Sequence, residues 1–170
     1  LLVNNAGYSQ VGAVIDLTRD DLRRQYETNV IAPVAVTAKA VPLLRSAVAK
    51  NGSAVVANVG SIVGLFTTPF AAAYCSSKAA VHSLTDALRM ELAPFGIHVV
   101  SIQPGGVRSS FGEHAEAGLA RLERPSRVAS GPRVRELEDR YVRNGRAQEL
   151  DLPLADRLAE EEPGYEQVET

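Results

Sequence analysis

Tryptophan is absent from this chain, and cysteine and methionine occur once each. A lone Cys75 excludes an internal disulfide and fits a reducing compartment, so a cytoplasmic location is expected. One Cys and three scattered His (His82, His98, His114) offer no metal-ligand spacing. Charge of one sign is scarce too. A formal net charge of −2 lacks the basic footprint that nucleic acid or an anionic surface selects, so neither partner is expected. No unbroken apolar run reaches the ~18 residues of a membrane span, so no span is expected.

What is present is apolar and aliphatic. Hydrophobic residues make up 45% of 170 residues, enough for one domain with its own core. The chain opens on Leu1-Leu2-Val3, with no initiator Met and no signal-peptide pattern. It reads as if it starts within a buried strand, and a fragment of a chain extending upstream is expected. Composition changes near Phe111. Residues 1–110 carry 6 acids and 9 Lys or Arg, whereas residues 111–170 carry 14 acids and 9 Arg. The expected division is therefore residues 1–112 as an α/β core and residues 113–170 as a charged helical segment with a frayed tail.

The core alternates strand and helix. Leu1–Val3 is a short β-run ended by the turn residues Asn4-Asn5-Ala6-Gly7. Thr18 is placed to cap a helix that holds Asp20 and Asp21 in its first turn. Leu22, Tyr26, Val30, Val34, Val41, Leu44 and Val48 carry that helix to about Lys50. Pro33 and Pro42 are expected to bend or divide it, and Asn51-Gly52 to close it. Residues 53–59 form an apolar strand ending at Gly60-Ser61. A second helix follows over residues 71–92, with Ala73, Ala80, Leu84, Leu88 and Leu92 on one stripe. Residues 97–102 form a third strand, ended by Gln103-Pro104-Gly105-Gly106. Continuously apolar strands alternating with helices predict a doubly wound parallel α/β sheet, its strands covered on both faces. Ligands of such sheets sit beyond the carboxyl ends of the strands, where all three turns converge.

One of those ends carries chemistry. Tyr74 and Lys78 are four apart, so a helix puts them on one face. A free phenol titrates near ~10 and is almost fully protonated at neutral pH. A neighbouring ammonium favours the phenolate and tunes the group toward acid–base work. Ser61 adds a hydroxyl for the same reacting oxygen. A solvated Tyr–Lys pair is the bland alternative, and the strand-end setting argues against it. Leu65, Phe66, Pro69 and Phe70 precede Tyr74 and are either a pocket lining or ordinary loop packing. Cys75 reads as a packed or idle thiol, His82 as a helix-surface or core residue, and Asn58 as a satisfied buried amide. Arg108 reads as solvated, with a phosphate contact as its alternative.

These residues together resemble the short-chain dehydrogenase/reductases. The match consists of Asn4-Asn5-Ala6-Gly7, Asn29, the strand ending in Gly60-Ser61, Tyr74-x-x-x-Lys78 thirteen residues beyond Ser61, and Pro104-Gly105-x-x-x-Ser109. The resemblance implies a Rossmann-type fold and an NAD(P)-dependent oxidoreductase acting on a small-molecule carbonyl or alcohol. It implies Tyr74 as the acid/base, Lys78 as its tuner and a ribose ligand, and Ser61 as the holder of the substrate oxygen. Asn29 is implied to anchor a water in a proton relay through Lys78. Asn4, Asn5, Ala6 and Gly7 would pack beside the cofactor's adenosine half, and Pro104, Gly105, Val107 and Ser109 would line its nicotinamide side. No metal is implied.

Finer expectations follow from the same resemblance. Glu27–Val30, Tyr74–Lys78 and Leu92–Ile97 are similar to reductases of acyl-dihydroxyacetone phosphate and of hydroxysteroid type, so an apolar or lipid-like substrate is expected. NADP is favoured slightly over NAD, and a homo-oligomer is expected through the two long helices. The family's first strand and Gly-rich phosphate turn are expected upstream of Leu1. The 170-residue chain alone is therefore expected to be inactive. A non-catalytic dinucleotide-binding regulator and an inactive truncated product remain alternatives. Joint retention of Asn29, Ser61, Tyr74 and Lys78 argues for the enzyme.

Overall fold

A computed structural model describes residues 1–106. Val107, Arg108, Ser109 and the whole 113–170 segment lie outside the described residues. Three parallel strands, β1 (Leu2–Asn4), β2 (Ala54–Val59) and β3 (Ile97–Ile102), form a sheet in the order β1-β2-β3. Leu2 pairs with Val56, and Ala54 pairs with Ile97. The first crossover comprises α1 (Arg19–Tyr26), a π turn (Glu27–Ile31) and α2 (Ala32–Asn51). The second is α3 (Ala72–Leu92), preceded by a 3-10 turn at Ile62–Gly64 and followed by another at Ala93–Phe95. This is the expected Rossmann-like parallel sheet with helical crossovers.

The core lies between the sheet and both crossovers. Leu44 of α2 and Leu92 of α3 pack on Val56, Ile97 and Val99, with Val41, Val48 and Leu88 at the margin. Both helices therefore cover the same face. On the opposite face Val3, Val100 and Ile102 are exposed. The strands were expected to be covered twice; within the described residues only one face is.

Thr18 caps α1 as expected. Its hydroxyl accepts from the Asp21 N–H, and the Asp21 carboxylate accepts from the Thr18 N–H. The helix then runs unbroken through Pro42 to Asn51, where Gly52 at φ 81° closes it. Pro33 neither breaks nor divides it. It has no N–H to give the Asn29 carbonyl, and the helix widens to a π turn just before it. By length and composition alone, an 18-residue window of the helical stretch Arg19–Asn51 is apolar enough to cross a membrane, with a mean hydropathy of 1.4. No unbroken apolar run is present there, because Lys39 and Arg45 interrupt it.

Two helical stripes differ from the sequence reading. In α1 the buried positions are Asp21 and Gln25, continued by Asn29 in the π turn; Leu22 and Tyr26 are only half-buried. The reason is what this helix covers: main chain of the loop after β1, whose polar groups need partners. In α3 the buried stripe is Lys78, Val81, Thr85 and Leu92, while Leu84 is exposed. Sorting by apolarity alone placed the stripe one residue off, because Lys78 and Thr85 are buried to satisfy polar groups of the sheet.

Candidate active site

Asn58, read as a satisfied buried amide, is the centre of a polar chain across the covered face. The Asn4 side-chain amide donates to Asn58 Oδ1 at 2.7 Å and to Thr37 Oγ1 at 2.9 Å. Asn58 Nδ2 donates to Thr85 Oγ1 at 3.0 Å. The two threonines donate in turn to the Pro33 and Val81 carbonyls of their own helices. Asn4 thus ties the turn after β1 to β2, α2 and α3 together.

One step toward the strand ends lies the titratable cluster. Lys78 is 5% exposed, and its ammonium donates to the Val59 carbonyl at the end of β2 at 2.8 Å. Its Nζ stands 5.7 Å from the centre of the half-buried Tyr74 ring, within cation–π range. Burial holds the Lys78 pKa below that of an ordinary lysine. Gly7 borders this group: a methyl there would come within 3.3 Å of Asn29 Oδ1 and 3.6 Å of Lys78 Nζ. The exposed Asn5-Ala6-Gly7 loop leads to that point from β1.

Asn29 is buried and its amide is spent in three directions. Oδ1 accepts from the Tyr8 N–H, and Nδ2 donates to the Tyr8 carbonyl and to Ser77 Oγ. Ser77 in turn donates to the Tyr74 carbonyl at 2.7 Å. Gln25, fully buried at 0% exposure, reinforces the same loop through the Gln10 N–H and the Tyr8 carbonyl. Gln25 and Ser77 escaped the sequence reading. Their one signal was the four-residue step from Gln25 to Asn29.

Ser61 is buried at the other flank, where it caps the 3-10 turn Ile62–Gly64 and its hydroxyl accepts from the Val63 N–H. The Ile62 N–H donates to the Pro104 carbonyl at 3.1 Å, and a methyl at Gly105 would lie 3.6 Å from the Ile62 side chain. The Pro104-Gly105 turn is therefore joined to the Ser61 turn. Tyr74 packs against the buried cluster of Val63, Ala71 and Cys75 between these groups. The structure thus brings Asn4, Gly7, Asn29, Ser61, Tyr74, Lys78, Pro104 and Gly105 to one edge. Asn5 and Ala6 share the loop.

The loop before Tyr74 divides in two. Phe70 is buried, in the left-handed region at φ 60°, which is strained for a bulky residue. Its carbonyl accepts from the Gly12 N–H at 2.8 Å, linking the loops after β1 and β2. Leu65 and Phe66 are exposed at 70% and 49%, and Pro69 is exposed as well. Cys75 is buried, with its sulfur 3.9 Å from Thr68 Oγ1, as expected of a packed thiol.

Residues 1–119 match the family model described as short chain dehydrogenase. The uncharacterised oxidoreductase YusZ of Bacillus subtilis is 42% identical over 111 residues, which are 65% of this chain and 38% of that protein. The NADPH-dependent 3-dehydrocapnine reductase of Ornithobacterium rhinotracheale is 38% identical over 69% of this chain and 42% of its own length. The chain therefore spans about two-fifths of these curated relatives. Among solved structures, a 3-ketoacyl-(acyl-carrier-protein) reductase from Brucella melitensis, complexed with NADH, superposes with a TM-score of 0.58 at 34% identity. That match covers 62% of this chain and 43% of the other.

Proposed function

Because the chain belongs to the short-chain dehydrogenase/reductase family of oxidoreductases, we propose that it handles the proton in NAD(P)(H)-dependent interconversion of a carbonyl and an alcohol. The observation that carries this reading is Lys78: a buried ammonium anchored on the Val59 carbonyl and set beside the Tyr74 ring. Burying an unpaired charge is costly, and the chain has three Lys in all. A buried cation one turn from a phenol has a chemical use that a packed core has not.

The residues present suit a dinucleotide. The exposed turn after β1 passes, through the side-chain-free Gly7, close beside Asn29 Oδ1 and Lys78 Nζ, polar atoms of the kind that bind sugar hydroxyls. When bound, the nicotinamide supplies or accepts the hydride. Tyr74 gives its proton to the substrate oxygen during reduction and takes it back during oxidation. Lys78 favours the phenolate and donates to the ribose. Ser61 donates to the substrate oxygen. Asn4 to Gly7 flank the adenosine half, and Pro104 and Gly105 face the nicotinamide. In this reading Asn29 acts first as a clasp on Tyr8 and Ser77, because its amide is engaged there. The water relay through Lys78 is routed past that clasp.

NADP is slightly favoured as cofactor, in keeping with the relative named as NADPH-dependent. An apolar or lipid-like substrate is supported by the exposed Leu65 and Phe66. Exposed Ile31, Val36 and Leu43 on the first crossover, with Met90 on α3, support pairing of two copies. Light scattering on the intact protein reads this directly, and a monomer at all concentrations overturns it. For the chemistry, the intact protein is assayed with NADPH or NADH and apolar ketones. Wild type oxidises the cofactor, and Tyr74→Phe loses about 10²–10⁴-fold in kcat. An unchanged rate in Tyr74→Phe refutes the assignment.

A further inference from the structure

His82 follows Lys78 by one helical turn, and its imidazole lies against the turn that carries Ser61. A methyl added at Gly60 would stand 2.5 Å from Nε2, and one added at Gly64 would stand 2.5 Å from Cε1. Both distances are closer than real carbons approach, so the ring occupies a slot that only glycine at both positions leaves open. Between the two glycines, the Ser61 N–H donates to His82 Nε2 over a long 3.4 Å. Nδ1 is buried and has no hydrogen-bond partner among the described residues.

We propose that His82 is a positioning residue: a neutral imidazole wedged between Gly60 and Gly64 that sets the main chain, and with it the hydroxyl, of Ser61. The kinetic side of this proposal rests on the reading of Ser61 as a substrate-holding group; the geometric side does not.

Accepting at Nε2 requires a lone pair there, so the neutral ring carries its proton on Nδ1. An imidazolium would set N–H against the Ser61 N–H and place a second positive charge near Lys78. The charged groups around the ring agree with the neutral state. Lys78 and Asp86 act on it from α3, where Asp86 is paired with Arg89. The turn from Gly60 to Gly64 contributes no titratable side chain, and His98 of β3 occupies an exposed position, out of phase with buried Ile97 and Val99. Burial first, and Lys78 second, hold the His82 pKa below 6.5, against a weaker pull upward from Asp86. As pH falls through this depressed pKa, protonation releases the Ser61 turn.

Gln and Leu separate positioning from packing. Gln places an amide oxygen near the site of Nε2 and cannot titrate; Leu fills the slot and cannot accept. In the intact protein, His82→Gln keeps kcat near wild type and loses the acid-side fall of kcat. His82→Leu lowers kcat about tenfold or more with little change in cofactor KM. Equal kcat in the two variants overturns the proposal. Long-range ¹H–¹⁵N spectra of wild type test the geometry without any activity. They should show the Nδ1–H tautomer for His82 at neutral pH, and an Nε2–H tautomer or an imidazolium there overturns it.

Discussion

Two clusters of buried and half-buried polar side chains lie along the same face of the sheet, a few residues apart, and they are built differently. The mid-sheet chain of Thr37, Asn4, Asn58 and Thr85 contains no ionisable group. Its donors run outward from Asn4 and end on helix carbonyls at Pro33 and Val81. The strand-end cluster of Tyr74, Lys78 and His82 is ionisable throughout, and burial depresses both Lys78 and His82. A neutral network that closes on the backbone serves the fold. A buried ammonium at the open end of a strand, Lys78, is what the proposed function assigns to a ligand, because its desolvation lowers stability and is retained for reactivity.

The contrast predicts that the first cluster answers in stability and the second in rate. Tyr74→Phe should show it most strongly, losing its kcat while Tm stays near wild type, since the ring and its packing remain. A large fall in Tm would erase the distinction. Lys78→Met comes next, with kcat falling by about 10²-fold or more. Its pH dependence has a definite sign. The native Lys78 pKa lies below the unfolded value of 10.5, so its favourable contribution is present above that value and is lost as pH falls through the folded one. Wild type should therefore gain stability relative to Lys78→Met as pH rises toward 10.5, measured as the difference in Tm across the alkaline range. Asn58→Ala has the smallest effect on rate and the opposite signature. It strips a partner from Asn4 and from Thr85 and costs about 2 kcal/mol in denaturant melts, with kcat nearly unchanged. A rate loss as large as that of Lys78→Met would merge the two clusters into one functional unit.

Element order, strand bounds to within one residue, and the residues at the strand ends were legible in the sequence, because turn chemistry and apolar runs are local. Ser61, Tyr74 and Lys78 were legible because spacing on a helix and position after a strand constrain where they meet. Gln25, Ser77 and the slot around His82 were not. Each depends on which loop crosses over the helix, and that contact joins residues such as Gln25 and Gln10, or Ser61 and His82, through tertiary packing. The stripe errors have the same origin. Hydropathy ranks Leu84 above Thr85 and Leu22 above Asp21, whereas the neighbours of those positions are polar groups that must be satisfied.

The π turn at Glu27–Ile31 gives the first crossover one residue more than a regular helix would use. Buried positions step 21, 25, 29 into the turn and 30, 37, 44 out of it. The turn acts as a phase shifter. It lets one continuous rod address two targets, the loop after β1 on its first half and the sheet on its second. A one-residue deletion there would repair the hydrogen-bond ladder and lengthen the regular helix. It would also rotate the two halves by about 100° relative to one another. Gln25 and Asn29 would then swing off the loop while Thr37 and Leu44 kept the sheet. The more ideal helix would be the less competent one.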